Sequence, residues 1–113
     1  MIEIFDDKIS LKKLYKFLKD PYPEMIKFVV DLEKESVAMG GAFHADGEAL
    51  LLDQGSQQDN LWGGNLYIDK SGTCRVEYSA MINIRPSAGN RSIEVEKEEI
   101  RKRIKQILDK LLP

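Results

Sequence analysis

Cysteine and histidine are almost absent from this chain, which contains one residue of each. A single cysteine, Cys74, cannot form an internal disulfide. One histidine without any Cys-x-x-Cys pair excludes a zinc site built only from cysteine and histidine. Cys74 falls on the apolar face of a predicted strand, where a free thiol usually serves as a small buried hydrophobic group. The sequence therefore predicts no metal site and identifies no cofactor.

Neither sign of charge dominates, since 17 basic residues stand against 19 acidic ones and the net charge is −2. Binding to nucleic acid or to an anionic membrane surface favours a strongly basic face, so we expect neither partner. No apolar run reaches membrane-spanning length, and residues 1–6 lack the basic and apolar regions of a signal peptide. We expect a cytoplasmic protein that forms a single α+β domain over residues 1–113.

What the chain does contain is a long alternation of apolar and polar residues at positions 74–85. A period of two over this length is typical of a strand with one buried face and one wet face. The apolar face would carry Cys74, Val76, Tyr78, Ala80, Ile82 and Ile84. We predict that residues 74–85 form the central strand of an antiparallel sheet.

A hairpin partner for this strand is predicted at residues 64–69, joined to it by a three-residue turn that ends in Gly72. On the core face, this register places Ile68 opposite Cys74, Leu66 opposite Val76 and Gly64 opposite Tyr78. On the other face it places Tyr67 opposite Arg75 and Asn65 opposite Glu77.

The first part of the chain predicts a short strand at residues 2–5 and then a helix that ends before Pro21. Ser10 stands in the N-cap position of this helix, ahead of one apolar stripe formed by Leu11, Leu14, Tyr15 and Leu18. Residues 25–32 fit either a helix or a strand. Their neighbouring valines and the polar turn after them favour a strand, with residues 37–43 returning beside it. Gly40-Gly41 in the return strand implies a bulge, or close approach of another backbone or a ligand.

Two further helices complete the predicted fold. The first covers residues 46–54, with Asp46 as N-cap and Gly55 at the C′ position, and a strand at residues 48–53 is the alternative. The second is a long terminal helix with the buried stripe Ile100, Ile104, Ile107, Leu108, Leu111 and Leu112. The element order is therefore β-α-β-β-α-β-β-α. We predict a two-layer α+β fold with an antiparallel sheet and helices packed on one face.

Several short motifs resemble those of a family of short uncharacterised prokaryotic proteins, classed as a domain of unknown function. The motifs are His44-Ala45-Asp46-x-Glu48, Leu61-Trp62-Gly63-x-Asn65, Asn83-Ile84-Arg85-Pro86 and Gly89-Asn90-Arg91-Ser92. The resemblance covers nearly the whole chain and supports the single-domain boundary. It transfers no activity, because none is established for the family. The family pattern often starts its last helix with Asp-Pro, whereas this chain has Lys97-Glu98 there.

The first candidate site is His44 with Asp46 and Glu48. In an extended chain these residues would share one face, and an imidazole with carboxylates suits acid–base catalysis or a divalent metal. The alternative gives each residue a local role, with Asp46 as a cap, Glu48 as a helix-dipole partner and His44 in an exposed loop.

The other candidates are Asn83 and Arg85 at the end of the predicted central strand, and the turn at residues 89–92. That turn could form an anion-binding nest beside Arg91. The alternative for both arginines is an ion pair with a carboxylate such as Asp46 or Glu48.

Three functions remain open from the sequence. The leading hypothesis is a binding module for a small anionic or nucleotide-like ligand. Arg85 and Arg91 would bind the anion, and the amides of Asn65, Asn83 and Asn90 would orient the ligand. The second is a small metal-assisted or acid–base enzyme that uses His44, Asp46 and Glu48. The third is a homodimer that pairs through the uncovered sheet face, which would carry Tyr67, Arg75, Ser79 and Met81.

Overall fold

The computed structural model describes residues 1–18 and 22–113, whose elements follow the order β-α-β-β-α-β-β-α. They are β1 (Ile2–Phe5), α1 (Leu11–Tyr15), β2 (Ile26–Asp31), β3 (Ser36–Gly40), α2 (His44–Asp53), β4 (Leu61–Leu66), β5 (Val76–Glu77) and α3 (Glu98–Leu111). The predicted α+β class and element order are confirmed. The predicted helix stop at Pro21 lies outside the described residues.

Within those described ranges, the strands form one antiparallel sheet of five in the order β1-β3-β2-β4-β5. Residues 25–32, which fitted a helix or a strand, contain the central strand β2. β3 returns beside it as predicted, with Val30 opposite Val37. On its other side β2 pairs with β4, so that Lys27 lies opposite Asn65.

Helices pack against both faces of the sheet. α1 and α3 cover the face that carries Phe28, Val30 and Trp62. α2 covers the opposite face, where Val29 and Ala38 pack with Leu51 and Leu61. The prediction of helices on a single face therefore holds for α1 and α3, whereas α2 adds a third layer. α2 therefore shields part of the face that was expected to be wet, and β4 is buried along its whole length.

The buried stripe is confirmed for α3 and only in part for α1. α3 buries Ile104, Ile107, Leu108 and Leu111. In α1 Leu14 is fully buried, but Leu11 and Tyr15 are 46% and 45% exposed. The flanking residues Ile9 and Phe17 complete its buried side, because the helix itself is only five residues long.

The predicted long central strand at residues 74–85 is wrong. β5 contains only Val76–Glu77, and it lies at the edge of the sheet. Cys74 is exposed in a 3-10 turn instead of buried on a strand face. The hairpin register is nevertheless confirmed where the strands pair, with Asn65 opposite Glu77 and Leu66 opposite Val76.

A side chain replaces the missing part of this strand. The Asn83 carboxamide accepts from the Gly63 N–H at 2.8 Å and donates to the Gly63 carbonyl at 2.9 Å. A carboxamide offers the same donor and acceptor as a peptide group, so it satisfies the edge of β4 without a strand. The 3-10 turn Met81–Asn83 brings Asn83 to this position.

The Gly40-Gly41 pair marks a close backbone approach, as predicted. Both residues have positive φ, +99° and +87°. A Cβ atom on Gly40 would lie 2.2 Å from the Met1 carbonyl oxygen, and the Gly41 N–H donates to that oxygen at 3.0 Å. Only glycine fits where the start of the chain crosses the end of β3.

Candidate functional site

Two of the predicted ligand-binding amides hold the fold together. Asn83 is 0% exposed, and besides Gly63 its amide donates to the Ile93 carbonyl at 3.1 Å. Asn90 is 1% exposed; its amide lies 2.8–3.0 Å from the carbonyls of Asn83, Ser92 and Glu94, and its oxygen accepts from the Glu96 N–H. Since these carboxamides are already saturated with backbone partners, they shape the loop and have no free group for a ligand.

The turn at residues 89–92 does form an anion nest, and the chain fills it itself. The Glu96 Oε2 atom accepts from the backbone N–H of Arg91 at 2.7 Å and of Ser92 at 2.9 Å. These bonds lower the pKa of the Glu96 carboxyl, because they stabilise its charged form. The predicted nest is therefore occupied by an internal carboxylate.

Arg85 is also held by the protein. Its guanidinium donates to the carbonyls of Leu61 and Ile82, and its Cζ atom lies 4.5 Å from the centre of the Trp62 ring. Burial lowers the pKa of Arg85, while the charges of Glu48 and Asp59 oppose this shift. The structure shows no salt bridge from Arg85 to any described carboxylate, and its buried Nη1 atom lacks a partner among the described residues.

His44, Asp46 and Glu48 do not converge on one site. They lie in the first turns of α2, where a spacing of two residues rotates Asp46 by about 200° from His44. Asp46 is exposed and is not the N-cap, since that position belongs to Phe43, which makes no side-chain capping bond. No group of three or more metal-ligating side chains occurs in the described part of the chain.

His44 instead points into the domain. Its Nε2 atom lies 2.8 Å from the Gly64 carbonyl oxygen, so Nε2 carries the hydrogen and donates it. The imidazole fits here because residue 63 is glycine: a Cβ atom there would lie 3.2 Å from the His44 Cδ2 atom. Burial lowers the pKa of His44, and the charge of Lys27 lowers it further. The Gly64 carbonyl, Asn65 and Glu77 partly oppose that shift.

Beside His44, three polar side chains form a row across the sheet. The register places Lys27 of β2 opposite Asn65 of β4, and Asn65 opposite Glu77 of β5, so all three share one face. The Asn65 amide donates to Glu77 Oε1 at 2.7 Å. Burial lowers the pKa of Lys27, and the charge of Glu77 opposes the shift. We call His44, Lys27, Asn65 and Glu77 the polar cluster.

Asn65 leaves one buried atom unused. The residue is 7% exposed, and its Oδ1 atom has no hydrogen-bond partner among the described residues. Because the amide is committed to Glu77, the carboxamide cannot flip without placing its oxygen against the carboxylate. This buried acceptor lies beside the His44 ring, where Asn65 raises the pKa of the imidazole, and it makes no hydrogen bond of normal geometry with the described residues.

Two tyrosines, Tyr22 and Tyr67, lie beside the polar cluster. A cavity of about 220 Å³ is lined by Tyr22, Pro23, Glu24, Met25 and Tyr67, and we call it the tyrosine pocket. The Lys27 Nζ atom lies 4.5 Å from the Tyr22 ring centre, which connects the pocket to the polar cluster. Burial raises the pKa of Tyr67, as do the charges of Glu77 and Glu24.

Of the predicted site residues, the polar cluster contains His44 and Asn65, whereas Asn83, Arg85 and Asn90 meet in the loop region after β5. Lys27, Glu77 and Tyr22 were missed. The hairpin register had already placed Glu77 beside Asn65, so that neighbour was available from the sequence. Lys27 is a single cation in the apolar stretch at residues 25–30, but its proximity follows from the β2–β4 pairing, which has no local signal.

The chain is thus a small three-layer α+β protein with a polar cluster on one sheet face. A family model described as "Protein of unknown function (DUF5674)" matches residues 3–111, and the chain belongs to this family. No curated protein and no solved structure matches the chain. Among the described residues, no helix is long and apolar enough to cross a membrane.

Proposed function

We propose that the protein is a binding module for a small anionic or nucleotide-like ligand, held by the polar cluster and the tyrosine pocket. The observation that supports this most directly is the buried, unpartnered Oδ1 atom of Asn65. Native proteins pair nearly all buried polar atoms, so an unpaired one calls for a specific explanation. A ligand donor that pairs with this atom supplies that explanation.

The Lys27 ammonium of the polar cluster supports a ligand with an anionic group, against the opposite charges of Glu77 in the cluster and Glu24 in the tyrosine pocket. Lys27 is the cation of the cluster, and its lowered pKa reflects an ammonium that has lost part of its hydration. A partly desolvated ammonium gains when an anion binds next to it. The start of α2, where His44 lies, adds partial positive charge and has no capping side chain. The proposed anion contact is therefore Lys27, in place of the predicted Arg85 and Arg91.

Thermal-shift and calorimetric titrations with nucleotides, phosphates and carboxylates test this function. We expect at least one class to stabilise the wild type, because a ligand that binds only the native state raises the free energy of unfolding. Lys27→Met should weaken binding tenfold or more, since it removes the charge and keeps the apolar stem. Lys16→Met, at an exposed lysine after α1, is the matched control. The proposal is contradicted if Lys27→Met and Lys16→Met bind the ligand equally well, or if no ligand of these classes stabilises the wild type.

A second candidate function, an acid–base enzyme, is supported by the state of His44. Its Nε2–H is fixed by the Gly64 carbonyl, and its lowered pKa favours the neutral imidazole, which can accept a proton. Glu77, and not Asp46 or Glu48, would be the carboxylate partner. Hydrolysis of chromogenic esters and phosphoesters should then fall with His44→Gln and Glu77→Gln, and persist with Asp46→Asn at the exposed position. Retained activity in His44→Gln contradicts this candidate.

A further inference from the structure

The geometry points to the chemical class of the ligand. We infer that the site takes a flat heteroaromatic ring with an N–H or amino donor, such as a nucleobase. The ring stacks on Tyr67, its donor bonds Asn65 Oδ1, and a linked anionic group meets Lys27. This inference rests on the proposed binding function and makes it specific.

The hydrogen-bonding state of Asn65 selects for a donor. Its amide is engaged by Glu77 at 2.7 Å, so the buried oxygen is the one group it has left for a ligand. An inorganic anion such as phosphate is chiefly an acceptor and leaves this oxygen poorly paired. A ring N–H or exocyclic amino group pairs with it directly, and a buried pairing of this kind discriminates against analogues that lack the donor.

Tyr67 stands where a ring bound at Asn65 would stack. It follows β4 directly, and its backbone N–H donates to the Arg75 carbonyl at 2.8 Å, so the hairpin pairing continues past the strand. Two residues apart along an extended chain, Asn65 and Tyr67 share a face at a separation of about 7 Å. That distance suits a ligand whose edge bonds the amide oxygen while its ring lies on the tyrosine.

The space and the partners around the tyrosines fit such a ring. Tyr67 lines the tyrosine pocket and also a neighbouring cavity of about 260 Å³ with Glu24, Asp69 and Lys70. Both tyrosine rings carry an ammonium over one face, from Lys27 at 4.5 Å and Lys70 at 4.4 Å. A base can replace the Lys70 stem against the Tyr67 ring and gain stacking energy, while its linked anionic group meets Lys27.

The test compares ligands that share an anion and differ in the ring. Wild-type protein is titrated by calorimetry with the four nucleoside 5′-monophosphates, ribose 5-phosphate and inorganic phosphate. His44 is the one histidine of the chain, so its imidazole NMR signals report binding at the polar cluster without ambiguity. We expect at least one nucleotide to bind ten times more tightly than ribose 5-phosphate and to shift the His44 signals.

Two variants locate the ring. Tyr67→Leu keeps apolar bulk and removes the stacking face, and should remove most of the preference for the nucleotide over ribose 5-phosphate. Tyr78→Leu, at a half-buried tyrosine packed on the opposite face of the sheet, is the matched control and should keep it. Circular dichroism checks that both variants fold.

Each failure has a distinct meaning. Equal binding of the nucleotides and ribose 5-phosphate overturns the ring inference and leaves the anion-binding function intact. A nucleotide preference that survives in Tyr67→Leu, or that leaves the His44 signals unmoved, also overturns the inference, because the ring then binds elsewhere. No binding by any nucleotide, phosphate or carboxylate overturns the proposed function, and the inference with it.

Discussion

The Arg103 guanidinium donates to the Glu35 carboxylate at 3.0 Å, although Glu35 occupies a left-handed backbone conformation with φ of +53°. Lys110 donates to the other oxygen of the same carboxylate, also at 3.0 Å. Since Arg103 and Lys110 lie on α3, one turn residue ties the β2–β3 hairpin to the terminal helix. A non-glycine residue with positive φ carries a backbone cost, and these two exposed ion pairs act against it.

Replacing Glu35 should make the stability of the protein less dependent on acid pH. The bonds from Lys110 and Arg103 lower the pKa of Glu35 in the folded state. Their stabilising effect is therefore complete above the unfolded pKa of about 4.3, and it is lost as the pH falls through the lower folded value. Urea unfolding should show wild type to be more stable than Glu35→Gln at neutral pH. The difference in free energy of unfolding between the two should disappear in acid.

Asp6→Asn serves as the control for this pH series. Asp6 is exposed and makes no salt bridge with the described residues. The difference in free energy of unfolding between Asp6→Asn and wild type should vary less with pH than the same difference for Glu35→Gln. A Glu35→Gln gap that stays constant down to acid pH contradicts the assigned role of the ion pairs.

The Asn83 carboxamide should be required for stability because of its chemistry and not only its shape. Asn83→Asp keeps the size of the side chain but replaces the N–H donors with a carboxylate oxygen. That oxygen would face the carbonyls of Gly63 and Ile93 inside the protein. We expect a loss of about 2–4 kcal/mol in the free energy of unfolding, measured with urea. Gln57→Glu, the same change at an exposed position, should have little effect, and equal losses would contradict this role.

Gly40 and Gly72 separate the cost of backbone conformation from the cost of a clash. Gly72 has φ of +60° with nothing within 4 Å of an added Cβ, so Gly72→Ala should cost only about 1–2 kcal/mol. Gly40 has φ of +99°, and an added Cβ would lie 2.2 Å from the Met1 carbonyl oxygen. Gly40→Ala should therefore destabilise the protein clearly more than Gly72→Ala in chemical unfolding. Equal losses in the free energy of unfolding would mean that the start of the chain moves away from Gly40 at little energetic cost.

Local patterns in the sequence were sufficient for much of the fold. Neighbouring valines favoured the strand β2, and Gly55 marked the end of α2, where it has φ of +94°. The pairing of Asn65 with Glu77 followed from the length of the turn and the position of Gly72 in it. In each of these cases the deciding interactions join residues close in sequence, so the pattern carries the information.

Where the deciding interaction is long-range, the sequence did not suffice. The alternation at residues 74–85 is real, but the buried Asn83 side chain takes the place of a strand, and periodicity cannot show this. His44, Asp46 and Glu48 all share a face only in an extended chain, and the helix turns Asp46 away from His44. Lys27 joins Asn65 only through the pairing of β2 with β4, so the polar cluster becomes visible only in the folded protein.

The homodimer hypothesis makes a prediction at Met81. Of the four residues assigned to the pairing face, Ser79 is buried and donates to Glu94, whereas Met81 is 77% exposed. Ile84 and Ile93, at 43% and 45% exposure, are further exposed apolar residues of the same loop region. If copies of the chain associate through this surface, Met81→Asp must place a carboxylate in an apolar contact. It should then weaken self-association tenfold or more while leaving the fold intact.

Light scattering and sedimentation across a range of protein concentrations measure this effect, and circular dichroism checks the fold. Leu11→Asp is the matched control, because Leu11 is 46% exposed and belongs to α1, on the other face of the sheet. Aspartate is also tolerated in the first turn of a helix, so this control should fold normally. We expect Met81→Asp to shift the association equilibrium and Leu11→Asp to leave it unchanged. A wild type that is monomeric at every concentration, or equal effects of the two variants, contradicts an interface at Met81.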